Sequence, residues 1–283
     1  RSQRFFQRLG PRQLVVETEA RWRDPQQSLA ELIVADAGHL VTELVSSLER
    51  RGHEPAESTR SWREHLSAQA SRANTALTEF MDESDHLWEA PLCRALMDVL
   101  PAHALLHLAS SSAIRDLDSF VPHAPGGPRR ILVSRGLNGI DGTLATAAGE
   151  TLASGQRGAL LVGDLALFHD AGGLLAAAQL DVDLLVVVAD NRGGRIFEQL
   201  PIADCEPQER FQRHFVTCQQ VNLEALCAAA REVVYHPVDT RAALPEVLAE
   251  AWSRRALRVV HVRIDPDVSR RERDELWRQV CDA

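Results

Sequence analysis

Two side chains with oxygen donors, Asp164 and Asn191, stand just beyond two apolar runs. Asp164 follows Ala159-Leu160-Leu161-Val162-Gly163, and Asn191 follows Leu184-Leu185-Val186-Val187-Val188-Ala189-Asp190. The segment Gly172 to Leu180 between them suits a helix, so 163–194 reads as strand, helix, strand. In an open parallel sheet, ligands bind in the crevice beyond the carboxyl ends of the strands. An acid and an amide at two such ends, with glycine carbonyls beside them, suit a hard divalent cation. Magnesium takes few protein oxygens and fills its shell with water and phosphate. The expected chemistry is therefore a metal-held diphosphate.

Two further strand ends carry polar residues. Ala104-Leu105-Leu106-His107-Leu108 leads to Ser110, Ser111, Ser112 and Arg115, and Ile131-Leu132-Val133 leads to Ser134, Arg135 and Gly136. The planar fork of arginine matches a carboxylate bidentately. Arg115 and Arg135 at one sheet edge suit a substrate with two or more carboxylates. The segment Gly136–Gly142 has three glycines and then enters a helix. It reads either as a backbone cradle for an anion or as a tight strand-to-helix turn. There is no GxSxG elbow, no P-loop Lys-Ser/Thr and no HExxH pair. His169 reads either as facing the pocket or as a polar residue at a helix start.

The elements that must position these groups alternate strand with helix. Strands are expected at 14–18, 32–34, 104–108, 131–134, 159–162, 184–189, 233–235 and 257–264. Helices are expected at 2–9, 37–50 (capped by Asp36), 60–82, 89–100, 142–153 and 240–255. This alternation predicts an α/β fold, doubly wound around a mostly parallel sheet. Residues 1–51 read as the tail of a second α/β domain, 52–66 as a polar linker and 67–283 as the main domain. The net charge of −9 argues against a nucleic-acid partner, which needs a basic face. Five cysteines without a CxxC pair fit reduced thiols and a cytoplasmic location. No apolar run approaches the roughly 20 residues of a membrane span, and no signal-peptide core is present. The chain begins at Arg1 in what reads as mid-helix, so a piece of a longer protein is expected.

These residues carry a family resemblance. Gly163-Asp164, with Asn191 placed 27 residues later and then Gly193, resembles the diphosphate- and Mg²⁺-binding motif of thiamine-diphosphate enzymes. That motif runs from Gly-Asp-Gly to Asn-Asn. Here Leu165 replaces the third glycine and Asp190 the first asparagine. Ser134-Arg135-Gly136, Gly139-Ile140-Asp141-Gly142, Gly163-Asp164-Leu165, Asn191-Arg192-Gly193-Gly194-Arg195-Ile196-Phe197 and Leu200-Pro201 resemble one branch. It is the 2-succinyl-5-enolpyruvyl-6-hydroxy-3-cyclohexene-1-carboxylate synthase family (MenD), and the resemblance covers residues 85–265. Arg21-Trp22-Arg23-Asp24-Pro25 is similar to the end of that family's central domain.

The resemblance implies Mg²⁺, or Mn²⁺ in its place, held by the side chains of Asp164 and Asn191 and the carbonyl of Gly193. The metal would bridge the diphosphate of thiamine diphosphate. Ile140 would lie under the bent cofactor, with Gly163, Leu165, Gly194 and Ile196 completing its binding site. Ser111, Arg115, Arg135 and Phe197 match substrate-binding positions. The implied reaction joins 2-oxoglutarate to isochorismate with loss of CO₂, in menaquinone biosynthesis. The activating glutamate of the family sits in a pyrimidine-binding domain of a partner subunit, in a homodimer or homotetramer. No catalytic residue is therefore expected in this chain, and the isolated chain is expected to be inactive. Two alternatives stay open. One is another thiamine-diphosphate enzyme, of the 2-oxoacid decarboxylase or acetolactate synthase type. The other is a degenerate, non-catalytic α/β partner domain.

Overall fold

The structure, a computed structural model, describes residues 8–10, 12–19, 28–121, 130–134, 139–230 and 232–282. The chain divides into two units, Arg1–Ser67 and Ala68–Ala283. In the first, strands β1 (Gln13–Glu17) and β2 (Leu29–Val34) pair in parallel. Helix α1 (Ala37–Arg50) follows. Asp36 caps it as expected, its carboxylate accepting from the His39 N–H at 2.8 Å, which satisfies an amide the helix leaves unpaired. Val41, Leu44, Val45 and Leu48 form an exposed apolar stripe along α1. The residues 2–7 and 21–25 of the sequence reading lie outside the described residues. Helix α2 (Glu57–Glu83) starts earlier than expected, so residues 57–66 of the anticipated linker are helical.

The second unit is built on a six-stranded sheet in the order β4-β3-β5-β6-β8-β7, parallel throughout. Its strands are β3 (Leu105–Leu108), β4 (Arg130–Val133), β5 (Gly158–Gly163), β6 (Leu184–Asp190), β7 (Val233–Val238) and β8 (Leu257–Arg263). Helices α3 (Glu89–Val99), α4 (Ser112–Phe120) and α5 (Thr143–Ser154) precede β3, β4 and β5. The doubly wound α/β class is the one expected. The near-continuous apolar runs of β5, β6 and β8 follow from burial on both faces: Leu160, Val162, Leu184 to Val188 and Val259 to Val262 are almost wholly enclosed, His261 excepted.

Several elements depart from expectation, including α4 and the helix Leu223–Ala229, where no helix was expected. The helix placed at 172–180 is two short helices, α6 (Asp164–His169) and α7 (Ala171–Ala177). Asp164 is thus the first residue of a helix, and His169 ends that helix and does not begin one. Helix α8 (Leu223–Ala229) precedes β7, and α9 (Leu244–Ser253) precedes β8. The chain then continues into a helix that the sequence reading did not assign, α10 (Pro266–Asp282), which buries Ser269, Glu272 and Leu276. Among the described residues no helix is long and apolar enough to cross a membrane.

Candidate functional site

The chain leaves β3 outward to β4 and returns to β5 on the other side of β3. The carboxyl ends of β3 and β5 therefore form a switch point, where an open sheet presents its crevice. A cavity of about 400 Å³ lies there. It collects Ser111 and Arg115 from beyond β3, Gly163, Asp164 and Leu165 from the end of β5, and Asn191, Gly193 and Gly194 from beyond β6. Ile140, Ile196 and Phe197 also line it. Arg135, the remaining residue singled out from sequence, lies outside the described residues.

Asp164 and Asn191 are both buried, at 3% and 8% exposure. Burial and the nearby Asp190 push the Asp164 carboxyl up to about 6, while backbone N–H groups of Leu165, Gly193 and Asp164 itself pull it the other way. Asp190 behaves differently: burial raises it, but the His261 imidazole and the Arg192 N–H hold it below the ordinary value. His261 Nε2 lies 2.8 Å from Asp190 Oδ2, and its Nδ1 lies 2.8 Å from the Tyr235 hydroxyl. The aspartate that replaces the family's asparagine is thus tied into β8.

The loop after β6 is tightly packed. Gly193 has φ +120°, and a Cβ there would sit 2.3 Å from the Val216 carbonyl oxygen. A Cβ on Gly194 would sit 2.6 Å from the Phe215 oxygen. The Gly193 carbonyl accepts from the Arg195 N–H at 2.8 Å, which leaves it a second lone pair. Arg192 takes a left-handed φ of 63°, a conformation asparagine adopts at lower cost. At Gly163 a Cβ would meet nothing within 4 Å, so no protein atom demands glycine there.

At the other end of the cavity, Ser111 precedes α4 with φ 71° and makes no side-chain cap to the helix. The Arg115 guanidinium reaches back to the Ser111 carbonyl at 2.6 Å and is otherwise exposed. Behind them, buried His107 bridges two elements, with Nδ1 2.7 Å from Glu150 Oε2 and Nε2 2.9 Å from Ser134 Oγ. Ser110 Oγ donates to the Ser134 carbonyl, so the ends of β3 and β4 are joined.

Several cavity residues were not singled out from sequence. Glu89 opens α3 and is 3% exposed. It accepts from Asn191 Nδ2 at 2.7 Å and from the Ser269 hydroxyl. Arg273 of α10 lies between Glu89, at 3.4 Å, and Asp116, at 2.7 Å. Cys93, also on the wall, has its thiol pushed well up by burial and by Asp116 and Glu89, which disfavours the thiolate that a nucleophile needs. The one available signal was Glu89 as an acid at the start of an apolar helix, which reads equally well as a favourable first-turn charge. A second cavity, about 570 Å³, is lined by Phe168, His169, His214 and Phe215 and shares Ile140, Leu165 and Phe197 with the first. His169 therefore faces a cavity, but not the one that holds Asp164.

The sequence pattern of the family "Thiamine pyrophosphate enzyme, C-terminal TPP binding domain" matches residues 119–262, just over half of the chain. The chain belongs to this family. It is 38% identical over 221 residues to the 2-succinyl-5-enolpyruvyl-6-hydroxy-3-cyclohexene-1-carboxylate synthase of Myxococcus xanthus (strain DK1622), covering 78% of this chain and 37% of that protein. The synthase of the same name from Desulfitobacterium hafniense (strain DSM 10664 / DCB-2) is 32% identical over 256 residues, covering 90% of this chain and 44% of that protein. That from Halorubrum lacusprofundi (strain ATCC 49239 / DSM 5036 / JCM 8891 / ACAM 34) is 32% identical over 98% of this chain and 46% of that protein. The chain thus spans less than half the length of these curated relatives. The crystal structure of benzoylformate decarboxylase from Polynucleobacter necessarius shares the fold, with a TM-score of 0.51 and 19% identity over 62% of this chain and 32% of that one.

The thiamine pyrophosphate (thiamine diphosphate) domain fits a metal-held diphosphate on its own residues. Asp164 is a buried carboxylate acted on by burial, by a second carboxylate and by backbone amides, so a cation would supply the charge it lacks. Among the described residues no group of three His, Cys, Asp or Glu side chains could hold a metal. One carboxylate, one amide oxygen and one backbone carbonyl would suit a cation that draws further oxygens from its ligand, as Mg²⁺ does.

Proposed function

We propose that this chain supplies the Mg²⁺–diphosphate half of a thiamine-diphosphate site that joins 2-oxoglutarate to isochorismate with loss of CO₂. The observation that carries the reading is the meeting of Asp164, Asn191 and Gly193 with Ser111 and Arg115 in one cavity at the switch point. Asp164 and Asn191 would give side-chain oxygens to Mg²⁺ or Mn²⁺, and Gly193 its carbonyl. Gly163 leaves room for the cofactor, Ile140 and Ile196 offer apolar surface, and Leu165 and Gly194 close the binding loops. When bound, the cofactor supplies the electron sink that decarboxylation of a 2-oxoacid requires.

The chain's own residues would do the rest by binding and orientation. The Arg115 fork would pair with a substrate carboxylate and the Ser111 hydroxyl would donate to it. Arg135 is assigned the same task by its place after β4. Phe197 would exclude water from the reacting end. The name of the relatives supports a 2-succinyl-5-enolpyruvyl-6-hydroxy-3-cyclohexene-1-carboxylate as product. The substrates 2-oxoglutarate and isochorismate, menaquinone biosynthesis as the setting and the cytoplasm as the location are our assignment from the family resemblance. We assign cofactor activation to a glutamate outside residues 1–283, in a pyrimidine-binding domain of a partner subunit within a homodimer or homotetramer. Titration calorimetry tests the cofactor site. Thiamine diphosphate should bind only with Mg²⁺ or Mn²⁺ present, and Asp164→Ala should abolish the signal. Binding that is indifferent to both metal and Asp164 would refute the assignment.

A further inference from the structure

Glu89 sits on the wall of the cavity, far in sequence from the metal-binding motif. Its Oε1 accepts from Asn191 Nδ2 at 2.7 Å, and its Oε2 accepts from the Ser269 hydroxyl. Arg273 lies 3.4 Å from the same Oε2. An ionised carboxylate has no hydrogen to donate, so the asparagine must turn its nitrogen toward it. The oxygen of the carboxamide then points away from Glu89. A free asparagine side chain presents its oxygen or its nitrogen with little preference. A metal accepts only the oxygen, and partners behind a ligand set the ligand's orientation.

We propose that Glu89 is a positioning residue of the metal site, holding the Asn191 carboxamide so that its oxygen, not its nitrogen, faces the cation. Helix α10 holds Glu89 in turn, through Ser269 and Arg273. The inference rests on reading the cavity as a Mg²⁺–diphosphate site, and its test separates the two ideas. A merely structural role for Glu89 would be to neutralise Arg273.

Glu89→Gln keeps the shape but offers one oxygen and one NH₂. Ser269 and Arg273 claim the oxygen, so the introduced NH₂ faces Asn191 and forces its carboxamide to flip. Electron paramagnetic resonance of free Mn²⁺, titrated with thiamine diphosphate present, should then show affinity weaker by about 10–100-fold. Adding Asn191→Asp to this variant should restore most of the loss. A carboxylate accepts from the introduced NH₂ with one oxygen and offers the other to the metal. Arg273→Met removes one of the two groups that hold Glu89, so it should lower thermal stability and weaken Mn²⁺ affinity less than Glu89→Gln does. If Glu89→Gln binds Mn²⁺ as the unsubstituted chain does, or the double variant binds no better than Glu89→Gln, the positioning role is overturned. Circular dichroism checks that each variant folds, and the double variant carries the test if Glu89→Gln does not. Asp164→Ala is the control. Its loss of Mn²⁺ upholds the site even if Glu89 fails, whereas unchanged binding would overturn the site and the inference together.

Discussion

Without added cation, Asp164 works against the fold at neutral pH. Its carboxyl is raised from 3.8 to about 6, by burial first and then by Asp190. A carboxyl raised in the folded chain gives stability that is full below its unfolded value and lost as pH rises through its folded value. Through Asp164 the metal-free chain should lose up to about 3 kcal/mol between about pH 4 and about pH 6. Asp116 is also raised to about 6 by burial, with Arg273 opposing, and adds to the loss in the same window. Denaturant unfolding across that range measures the sum, and Asp164→Asn isolates one part. The variant should be the more stable protein at about pH 7.5 and show no advantage at about pH 4. Identical pH profiles would remove Asp164 as the cause. Mg²⁺ with thiamine diphosphate should stabilise the unsubstituted chain above about pH 6 and not the variant, because the metal needs the ionised carboxylate. Asp164 and Asn191 could be found in sequence because each stands just beyond an apolar run. Glu89 could not, since its partners Asn191 and Ser269 lie 102 and 180 residues away.

The loop after β6 is the element on which the site depends most. Gly193 combines φ +120° with a Cβ position 2.3 Å from the Val216 oxygen. Gly193→Ala should therefore cost about 1–3 kcal/mol of stability. It should also weaken metal and cofactor binding, because the loop must shift away from Val216. A variant with unchanged melting temperature and unchanged calorimetric affinity would show that the loop tolerates the side chain. Element by element, β5, β6 and β8 were readable because strands buried on both faces must be apolar runs. Helix α10 was not read, because its charged surface gives no apolar run. Its contribution is a few buried residues, Ser269, Glu272 and Leu276. The split of one expected helix into α6 and α7 was equally hidden. Asp164 starts a helix directly at the strand end, and Asp170 then takes the Ala145 N–H at 2.8 Å with its side chain.

For the molecule as a whole, substrate choice and turnover are the discriminating measurements. Residues 1–283 alone should bind Mg²⁺ and thiamine diphosphate yet give no carboligation. With the pyrimidine-binding domain supplied, 2-oxoglutarate should be decarboxylated in preference to pyruvate, because Arg115 offers a fork to a second carboxylate. Equal rates for both acids would favour a monocarboxylate decarboxylase, and turnover by the chain alone would refute a glutamate supplied from outside. The sequence by itself determined the α/β class, the strands and the residues at the strand ends. Those depend on apolar periodicity and on local spacing, which a chain carries in order along its length. Only the tertiary structure decided the strand order, and with it the switch point that gathers Ser111, Asp164 and Asn191 into one cavity. It also decided that α10 reaches across to hold Glu89 behind Asn191. Such contacts depend on which side chains a closed core brings within hydrogen-bonding distance, and spacing along the chain does not encode that distance.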